Sequence, residues 1–552
     1  MIGVVTKQNE VEITREFFQL FKTPWEFFTD AGSYDIVITT GEPPVGIKTK
    51  LLIIYNSEDI AWDTASGITS HSIPGNVSLS FNTVTIPIYG RIQTFYGGCT
   101  SLVTVTGTNN SVGIEINTGS IKCIRIGYDL FKEADILLTK GQPVENALIP
   151  TLELHIALLK TLITGAGLLL VEIPPVPAGY AYSACLTHDI DFIRIRDHIF
   201  THAILGFLLR ATFSTVKKVV TNKISISQAW RNVKAVLSLP FVLPGLAKDF
   251  WFQFESYKEI EKNLCATWFV SPYKNKRGEN IDSPVAARRA TSYDVDDIKD
   301  IIEKLTADGD EVGVHGIDAW HSSEKGRMER KRIEEITKAS HSGVRIHWLC
   351  QNEHTARNLD KAGYSYDSSC GYNDTPGYRA GTTQVFIPKG SKNMLELPMH
   401  IQDTALFFPS YMNLPEPEAF ALCKQFIDNA LRFGGVLTIL WHQRSLAPER
   451  LWGNTYIKFL EEIKIKNVWF GTARQVTKWF EKRRTAAFKS VRINDNTVSV
   501  TTSCNNDRDA LPPLQVRLYL PAKNSKKDTF HSPDMNYIDT PLIPNQEMHI
   551  TF

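Results

Sequence analysis

Alternating apolar and polar stretches predict an α/β protein. Short apolar runs bounded by Gly, Pro or Asn are typical of buried strands, and apolar residues spaced three and four apart are typical of helices. In the second half of the chain the two patterns alternate: the apolar run 266–270 precedes helical spacing over 294–305, and a further run follows at 311–314. Repeated strand–helix units of this length predict parallel strands in a barrel or a doubly wound sheet.

Changes of pattern divide the chain into three segments. Residues 1–175 combine strand-like runs with a helical stripe of leucines, which predicts an N-terminal α/β accessory domain. The proline-rich stretch 174–179 reads as a stiff linker. Residues 176–484 carry the strand–helix alternation of the predicted barrel, and residues 485–552 carry alternating runs that predict a small C-terminal β module.

An insertion at 192–250 interrupts the barrel segment. Over 192–248 there are nine basic residues and one acid, Asp197. The basic residues are Arg194, Arg196, Arg210, Lys217, Lys218, Lys223, Arg231, Lys234 and Lys248. Apolar runs between such cations are typical of a helix that lies on an anionic membrane surface. The alternative is an insertion that packs on its own domain and keeps its basic face in water.

Composition excludes several classes of protein. The 552 residues are 43% hydrophobic and 22% charged, as in an ordinary globular protein, and the net charge of +1 gives no field that favours nucleic acid. The eight cysteines are scattered without a CxxC pair, which predicts buried thiols in a reducing compartment. Charges near the N-terminus argue against a signal peptide, and no apolar window is long enough to span a membrane. We therefore expect a cytoplasmic protein.

The predicted strands of the barrel segment end in residues that can carry chemistry. In chain order these are Asp189 and Asp191; His315, Asp318 and His321; Arg345 and His347; Asp403; and His442. Packing alone favours apolar residues at strands, and the ends of parallel barrel strands converge on one face. Imidazole and carboxylate together suit zinc or another divalent transition metal. A buried Arg345 needs a carboxylate partner, for which Asp189 is the candidate.

In this order, the strand ends resemble the motifs of the polysaccharide deacetylases, the NodB-homology family of carbohydrate esterases, of which the chain looks like a divergent bacterial member. The resemblance covers about residues 180–480 and includes the stretches 366–369 and 377–382. It implies a distorted (β/α) barrel and hydrolysis of acetyl groups on sugars with a divalent metal, usually zinc.

The resemblance also implies a metal site. Asp189 would be the general base and Asp191 a metal ligand, with the reverse assignment as the alternative because Ile190 separates the two acids. His315 matches a metal-binding histidine. Its partner would be His321, because position 319, where the family has the second histidine, is Ala319; Asp318 and His347 are the alternatives.

The remaining roles follow from the later motifs. Arg345 would orient the base, Asp403 stands at the fourth motif, and His442 would be the general acid. Tyr372 and Trp441 are the predicted sugar platforms, and His347 is also a candidate for contact with the substrate.

These features predict a metal-dependent enzyme that removes an acetyl group from an N-acetylated sugar of a bacterial surface-glycan precursor. The substrate would be an oligosaccharide or a nucleotide- or lipid-linked sugar, handled at the inner membrane face. One alternative is a metal amidohydrolase that acts on a non-sugar amide. The other is a non-catalytic glycan-binding or scaffold protein whose metal site has degenerated.

Overall fold

The computed structural model describes residues 1–97, 99–118, 121–199, 201–221, 224–281, 286–504, 510–521 and 536–552.

The N-terminal segment is built on a mixed sheet, as the α/β prediction requires. Neighbouring parallel strands are, in spatial order, Trp25–Phe27, Ile2–Val5, Ile36–Thr39, Leu51–Tyr55 and Ile121–Ile126. Antiparallel strands extend the sheet: Ser111–Thr118, Thr100–Val105, Val77–Phe81 and Val84–Ile88, with Ile92–Tyr96 and Thr69–Ile73 beside them. The amphipathic helices Val11–Leu20, Leu130–Thr139 and Thr151–Gly165 bury their apolar faces in the same core.

A second sheet, made of parallel strands, curls into an open barrel and confirms the predicted distorted (β/α) barrel. Its strands are, in spatial order, Leu395–Glu396, Tyr366–Asp367, Val344–Ile346, Glu311–Gly316, Ala266–Val270, Ser183–Ile190, Val436–Leu440 and Ile401–Gln402, with Trp469–Phe470 also paired to Ser183–Ile190. The strand Ser183–Ile190 is buried along its whole length and lies between two other fully buried strands. Because these strands run in one direction, their carboxyl ends meet at one face of the barrel.

Helices surround this sheet and cover its apolar residues. They are Phe254–Ile260, Lys299–Ala307, Ser323–Thr337, Thr355–Ala362, Asp403–Phe407, Glu416–Phe433, Gly453–Lys464 and Ala473–Thr485. These helices are amphipathic, which lets them cover the sheet. In the helix Lys299–Ala307, Ile302 and Leu305 face the core, while the charged residues face water.

The insertion folds as two helical arms, residues 202–220 and 226–242, which we call the helical hairpin. The first arm consists of His202–Leu209, the π-helical turn Arg210–Ser214 and Thr215–Val220; the second is Ile226–Val242. One side of each arm packs around Trp251 in a small apolar cluster. Lys223 lies outside the described residues. Within the described part of the chain, no helix is long and apolar enough to cross a membrane.

The C-terminal residues form antiparallel sheets, as the alternating pattern predicts. One sheet contains Ala487–Asn494, Thr497–Ser503 and Glu547–Thr551. Another contains Gln515–Tyr519 and Tyr537–Pro541 and is extended by Leu170–Glu172, which precedes the proline-rich linker. A strand of the N-terminal segment is thus hydrogen-bonded to the C-terminal strands, and the segment boundaries at 175 and 484 stay a prediction.

Candidate metal centre

Asp191, His315 and His347 come together at the carboxyl edge of the barrel. Asp191 directly follows the strand Ser183–Ile190, His315 lies within Glu311–Gly316, and His347 follows Val344–Ile346. The Asp191 Oδ1 atom is 3.4 Å from His315 Nε2 and 3.4 Å from His347 Nε2. One ligand atom from each residue lies within 4.8 Å of the others, which is a spacing that a single metal ion can bridge.

The donor atoms of this group fit a cation. Asp191 Oδ1 and His315 Nε2 are buried, and neither has a hydrogen-bond partner among the described residues. His315 Nδ1 is 3.1 Å from the Arg345 carbonyl oxygen, so Nδ1 carries the proton and donates to it. That bond leaves the lone pair of Nε2 directed at Asp191, which is the usual way in which a backbone carbonyl prepares a histidine ligand.

The charge states of the group are those that metal binding needs. Burial lowers the pKa of His347 to about 3, against the opposing charge of Asp191, so this imidazole is neutral at pH 7. Burial alone would raise the pKa of Asp191, but His347, His315 and His442 outweigh it and hold that pKa below its ordinary value. The site therefore presents one carboxylate and a neutral imidazole, both of which are ligands for divalent transition metals.

Asp189 lies on the same strand end and is held by Arg345. Arg345 donates to Asp189 Oδ1 at 3.1 Å and to the Thr187 hydroxyl at 2.7 Å. Its other nitrogens donate to the hydroxyl and the carbonyl oxygen of Ser368. The guanidinium is completely buried, so this is the carboxylate pairing that a buried arginine requires.

His442 faces the other carboxylate oxygen of Asp191 and is oriented by Asp403. His442 Nδ1 lies 2.6 Å from Asp403 Oδ1, and its Nε2 lies 3.7 Å from Asp191 Oδ2. Asp403 also accepts hydrogen bonds from the His442 backbone N–H and from the Ser445 hydroxyl. Burial opposes protonation of His442, but Asp403 and then Asp191 raise its pKa to about 9. The imidazole therefore carries a proton at neutral pH.

The structure does not bring His321 to this group, so its assignment as a ligand is corrected. His321 Nε2 is 3.1 Å from Asp318 Oδ1, and His321 Nδ1 is 3.3 Å from the side-chain nitrogen of Asn280. Glu329 fixes this loop because its carboxylate accepts the backbone N–H groups of Ile317 and Asp318. His347 lies beside Asp191 and His315 instead.

The predicted sugar platforms are also corrected. Trp441 is completely buried in the barrel core, so its ring cannot stack on a substrate. Tyr372 is 8% exposed, and its hydroxyl donates to the Gln142 carbonyl oxygen at 2.6 Å, so its ring lies between the barrel and the N-terminal segment. Trp348 and Tyr411 line the cleft instead.

A cleft of about 640 Å³ opens over the group. Asp189, Asp191, His315, His347 and His442 lie in its wall. The wall also contains Arg210 from the helical hairpin, and Arg444 and Arg450 from the loop after His442. These arginines are not among the site residues that the sequence predicts. The available signal was the position of Arg444 and Arg450, shortly after a strand end that carries His442.

The fold and the site define a class: a (β/α)-barrel protein with an Asp–His–His candidate metal centre at the carboxyl edge of its strands. No protein-family model matches the chain, and no curated protein sequence matches it.

Solved structures do match. The chain is similar to the carbohydrate deacetylase Agd3, with 10% identity and a TM-score of 0.41, over 100% of this chain and 98% of that one. It is similar to a structure from Mycobacterium smegmatis that carries the name polysaccharide deacetylase, with 17% identity and a TM-score of 0.33, over 58% of this chain and 98% of that one. It is also similar to PuuE allantoinase, with 15% identity and a TM-score of 0.34, over 55% of this chain and 92% of that one.

Structures named as polysaccharide deacetylases are thus among the solved structures that this chain resembles.

Proposed function

We propose that the chain is a metal-dependent hydrolase that removes the acetyl group from an N-acetylated sugar. One observation carries the proposal: a candidate base, Asp189, and a candidate acid, His442, flank the Asp191–His315–His347 group within one cleft. The sugar as substrate follows from the ordered strand-end motifs. The metal would be held by Asp191, His315 and His347, and the two imidazoles with one carboxylate favour Zn²⁺.

The residues of the chain divide the reaction between them. A divalent ion at this site supplies a Lewis acid and a water molecule of lowered pKa. Asp189 takes the proton of the attacking water, and Arg345 keeps the Asp189 carboxylate in position. His442 donates a proton to the amine nitrogen as the C–N bond breaks, and Asp403 holds the His442 ring with Nε2 toward the cleft. Trp348 and Tyr411 are the aromatic side chains that we assign to contact with the sugar.

Acetate release tests this function. Purified, zinc-loaded protein is incubated with N-acetylated sugars and, in parallel, with small non-sugar amides. We expect acetate from the sugars, and we expect Asp189→Asn and His442→Ala each to lower kcat by about 100-fold or more. Activity on the non-sugar amides alone would favour the amidohydrolase alternative. Full acetate release by a variant that combines Asp189→Asn and His442→Ala would contradict the assignment of the base and the acid.

The metal content separates an enzyme from a scaffold. If the site had degenerated, the chain would bind no stoichiometric metal and would release no acetate. The complete Asp–His–His group and its unpartnered buried donor atoms favour a working site. Absence of stoichiometric metal after gentle purification would support the glycan-binding or scaffold alternative.

We also propose that the helical hairpin binds the surface of an anionic membrane, at the cytoplasmic face. Each arm carries a row of large apolar side chains that point to solvent. On the first arm these are Leu205, Leu209, Phe213, Val216 and Val220; on the second they are Ile226, Trp230, Val233, Leu237 and Phe241. The spacing of three and four residues places each row on one face of its helix. Their exposed fractions run from 37% for Val233 to 81% for Ile226.

The charges around these rows favour anionic lipid as the partner. Between residues 198 and 248 the sequence contains no Asp or Glu, while Lys217, Lys218, Arg231 and Lys234 lie along the exposed parts of the arms. Exposed apolar rows bordered by cations match the interface of a bilayer with anionic headgroups. The cleft adjoins the hairpin, because Ala203, Gly206 and Arg210 form part of its wall. A membrane-bound hairpin would therefore hold the cleft close to lipid-linked sugars.

Sedimentation with vesicles tests the membrane contact. We expect the protein to sediment with vesicles that contain phosphatidylglycerol, and a Phe213→Ser, Trp230→Ser, Leu237→Ser variant to stay in the supernatant. A matched control replaces the exposed apolar residues Val45, Ile465 and Ile493 with Ser, outside the hairpin, and should sediment like the wild type. No sedimentation of the wild type, or a stable dimer that buries the apolar rows, would contradict the proposal.

A further inference from the structure

Arg210, Arg444 and Arg450 gather beside the candidate metal centre. Arg210 comes from the first arm of the hairpin, and Arg444 and Arg450 come from the loop after His442; all of them line the same cleft as Asp191. Arg444 donates to Glu449 Oε1 at 3.0 Å, and its guanidinium lies 3.5 Å from the centre of the Trp251 ring. Arg444 is thus fixed by a carboxylate and by stacking.

Among the described residues the other guanidiniums lack a carboxylate partner, although Arg450 lies 4.6 Å from the centre of the Trp452 ring. In the described part of the chain, neither Arg210 nor Arg450 has a carboxylate at ion-pair distance, and the buried Nε of Arg210 has no hydrogen-bond partner. Glu449 is near both, because its charge acts on each of them. Glu449 thus acts on both and already accepts from Arg444, so positive charge is in excess beside it.

This excess charge is held in an unfavourable environment. Burial and the neighbouring Arg450 lower the pKa of Arg210 to about 10, which reflects both desolvation and mutual repulsion. Burial also lowers the pKa of Arg450, while Glu449, Asp403 and Asp191 act in the opposite direction. A divalent cation bound at Asp191 would neutralise the negative charge of that carboxylate, which then would stabilise the charge of Arg450 less. A bound anion would then satisfy the guanidiniums.

We propose that Arg210 and Arg450 form a phosphate subsite, so that the acetylated sugar is a sugar phosphate or diphosphate. The inference rests on the proposed deacetylase function and adds the substrate class. The planar fork of a guanidinium matches two phosphate oxygens, and the hydrogen bonds are charge-assisted. Because the subsite and His442 share one cleft, one substrate can place its phosphate at the arginines and its acetamido group at the metal centre.

Kinetics on matched substrates test the subsite. The same N-acetylhexosamine is supplied free and as its 1-phosphate, and then linked to a nucleoside diphosphate or to a lipid diphosphate in detergent. For the wild type we expect kcat/KM on the phosphorylated forms to exceed that on the free sugar by at least about 10-fold. Arg210→Gln and Arg450→Gln should each raise KM for the phosphorylated substrates by about 10- to 100-fold. For the free sugar, each should change KM and kcat by less than about 3-fold.

Further variants control for charge and folding. Arg492→Gln removes the same charge from an exposed position in the C-terminal module. It should leave KM and kcat unchanged for both the free and the phosphorylated sugars. Arg450→Lys keeps the charge but loses the fork, and should show an intermediate KM. A higher kcat/KM for the nucleotide form or for the lipid form identifies the source of the phosphate.

A binding readout keeps the subsite independent of the proposed activity. Inorganic pyrophosphate should raise the Tm of the zinc-loaded wild type and raise it less in Arg210→Gln and Arg450→Gln. Equal shifts in all three proteins would overturn the subsite, since pyrophosphate would then bind elsewhere. Equal activity on free and phosphorylated sugar, unchanged by the arginine substitutions, would also overturn it while leaving deacetylation intact. If no sugar releases acetate, the proposed function fails, and the pyrophosphate shift still decides the subsite.

Discussion

The location of His347 at the site is only partly predictable from the sequence. Arg345 and His347 are two residues apart, so alternation predicts that they share a face, and the structure places both at the site. The strand ends at Ile346, and Trp348 then takes a left-handed conformation with φ of 65°. His347 lies directly before this turn, and its Nε2 lies 3.4 Å from Asp191 Oδ1. The choice between His321 and His347 depends on these loop conformations, which the order of residues does not specify.

Single substitutions of His347 and His321 should differ in their effect on zinc binding. We expect His347→Ala to lose bound zinc, because it removes one of the three donor groups Asp191, His315 and His347, and His321→Ala to keep it. Metal analysis after dialysis gives zinc per protein chain for each variant. Loss of zinc from His321→Ala and retention in His347→Ala would restore the assignment made from sequence.

Asp403 acts through His442, so its replacement should change turnover rather than binding. In Asp403→Asn the imidazole loses the acceptor that fixes its orientation and stabilises its charge. We expect kcat to fall by about 100-fold or more, with zinc content, KM and Tm close to wild type. A parallel loss of zinc or of Tm would instead indicate a structural role for Asp403.

Elements were easier to predict than contacts between them. Apolar runs located the barrel strands Ser183–Ile190, Ala266–Val270 and Val436–Leu440, and parallel pairing then explains why their polar ends converge. The helical hairpin was only partly predictable. Its cations and apolar runs are visible in the sequence, but the sequence pattern does not reveal that one apolar row of each arm packs inward while another faces water.

Glu329 lies on the helix Ser323–Thr337 and holds the loop that begins at Ile317 and Asp318. Burial raises the pKa of Glu329 to about 7 in the folded chain, whereas the ordinary value is 4.5. The folded state therefore binds this proton more tightly than the unfolded chain, so its stability should fall as pH rises from about 4.5 through 7 and then level off. The contribution is roughly 3 kcal/mol.

Thermal unfolding at pH 5 and pH 8 measures this effect. Between these pH values the wild type should lose more Tm than Glu329→Gln, which cannot ionise. An identical loss in both proteins would show that Glu329 does not titrate in this range.

At the scale of the whole molecule, buried polar contacts fasten the N-terminal segment to the rest of the chain. The Arg483 guanidinium is buried and donates to the carbonyl oxygens of Gln19, Leu20 and Ile173. The Glu153 carboxylate accepts hydrogen bonds from Thr382 and Gln384. Such long-range pairs cannot be derived from a single sequence, because neither local pattern nor spacing links residues hundreds of positions apart.

Replacing Arg483 should therefore destabilise the chain without touching the site. Arg483→Met leaves three buried carbonyl oxygens without their donor, which costs about 2–5 kcal/mol. We expect a lower Tm and an unchanged kcat for the protein that remains folded, with the exposed Arg492→Met as the control. A wild-type Tm in Arg483→Met would contradict this account of how the segments are joined.

The proposed function requires that Asp191, His315 and His347 hold the metal. Anomalous diffraction at the zinc absorption edge, from crystals of the zinc-loaded protein, tests it directly. We predict one strong peak about 2.0–2.2 Å from the Asp191 carboxylate and from Nε2 of each histidine. A peak bound by Asp318 and His321, or no peak at Asp191, would contradict the account.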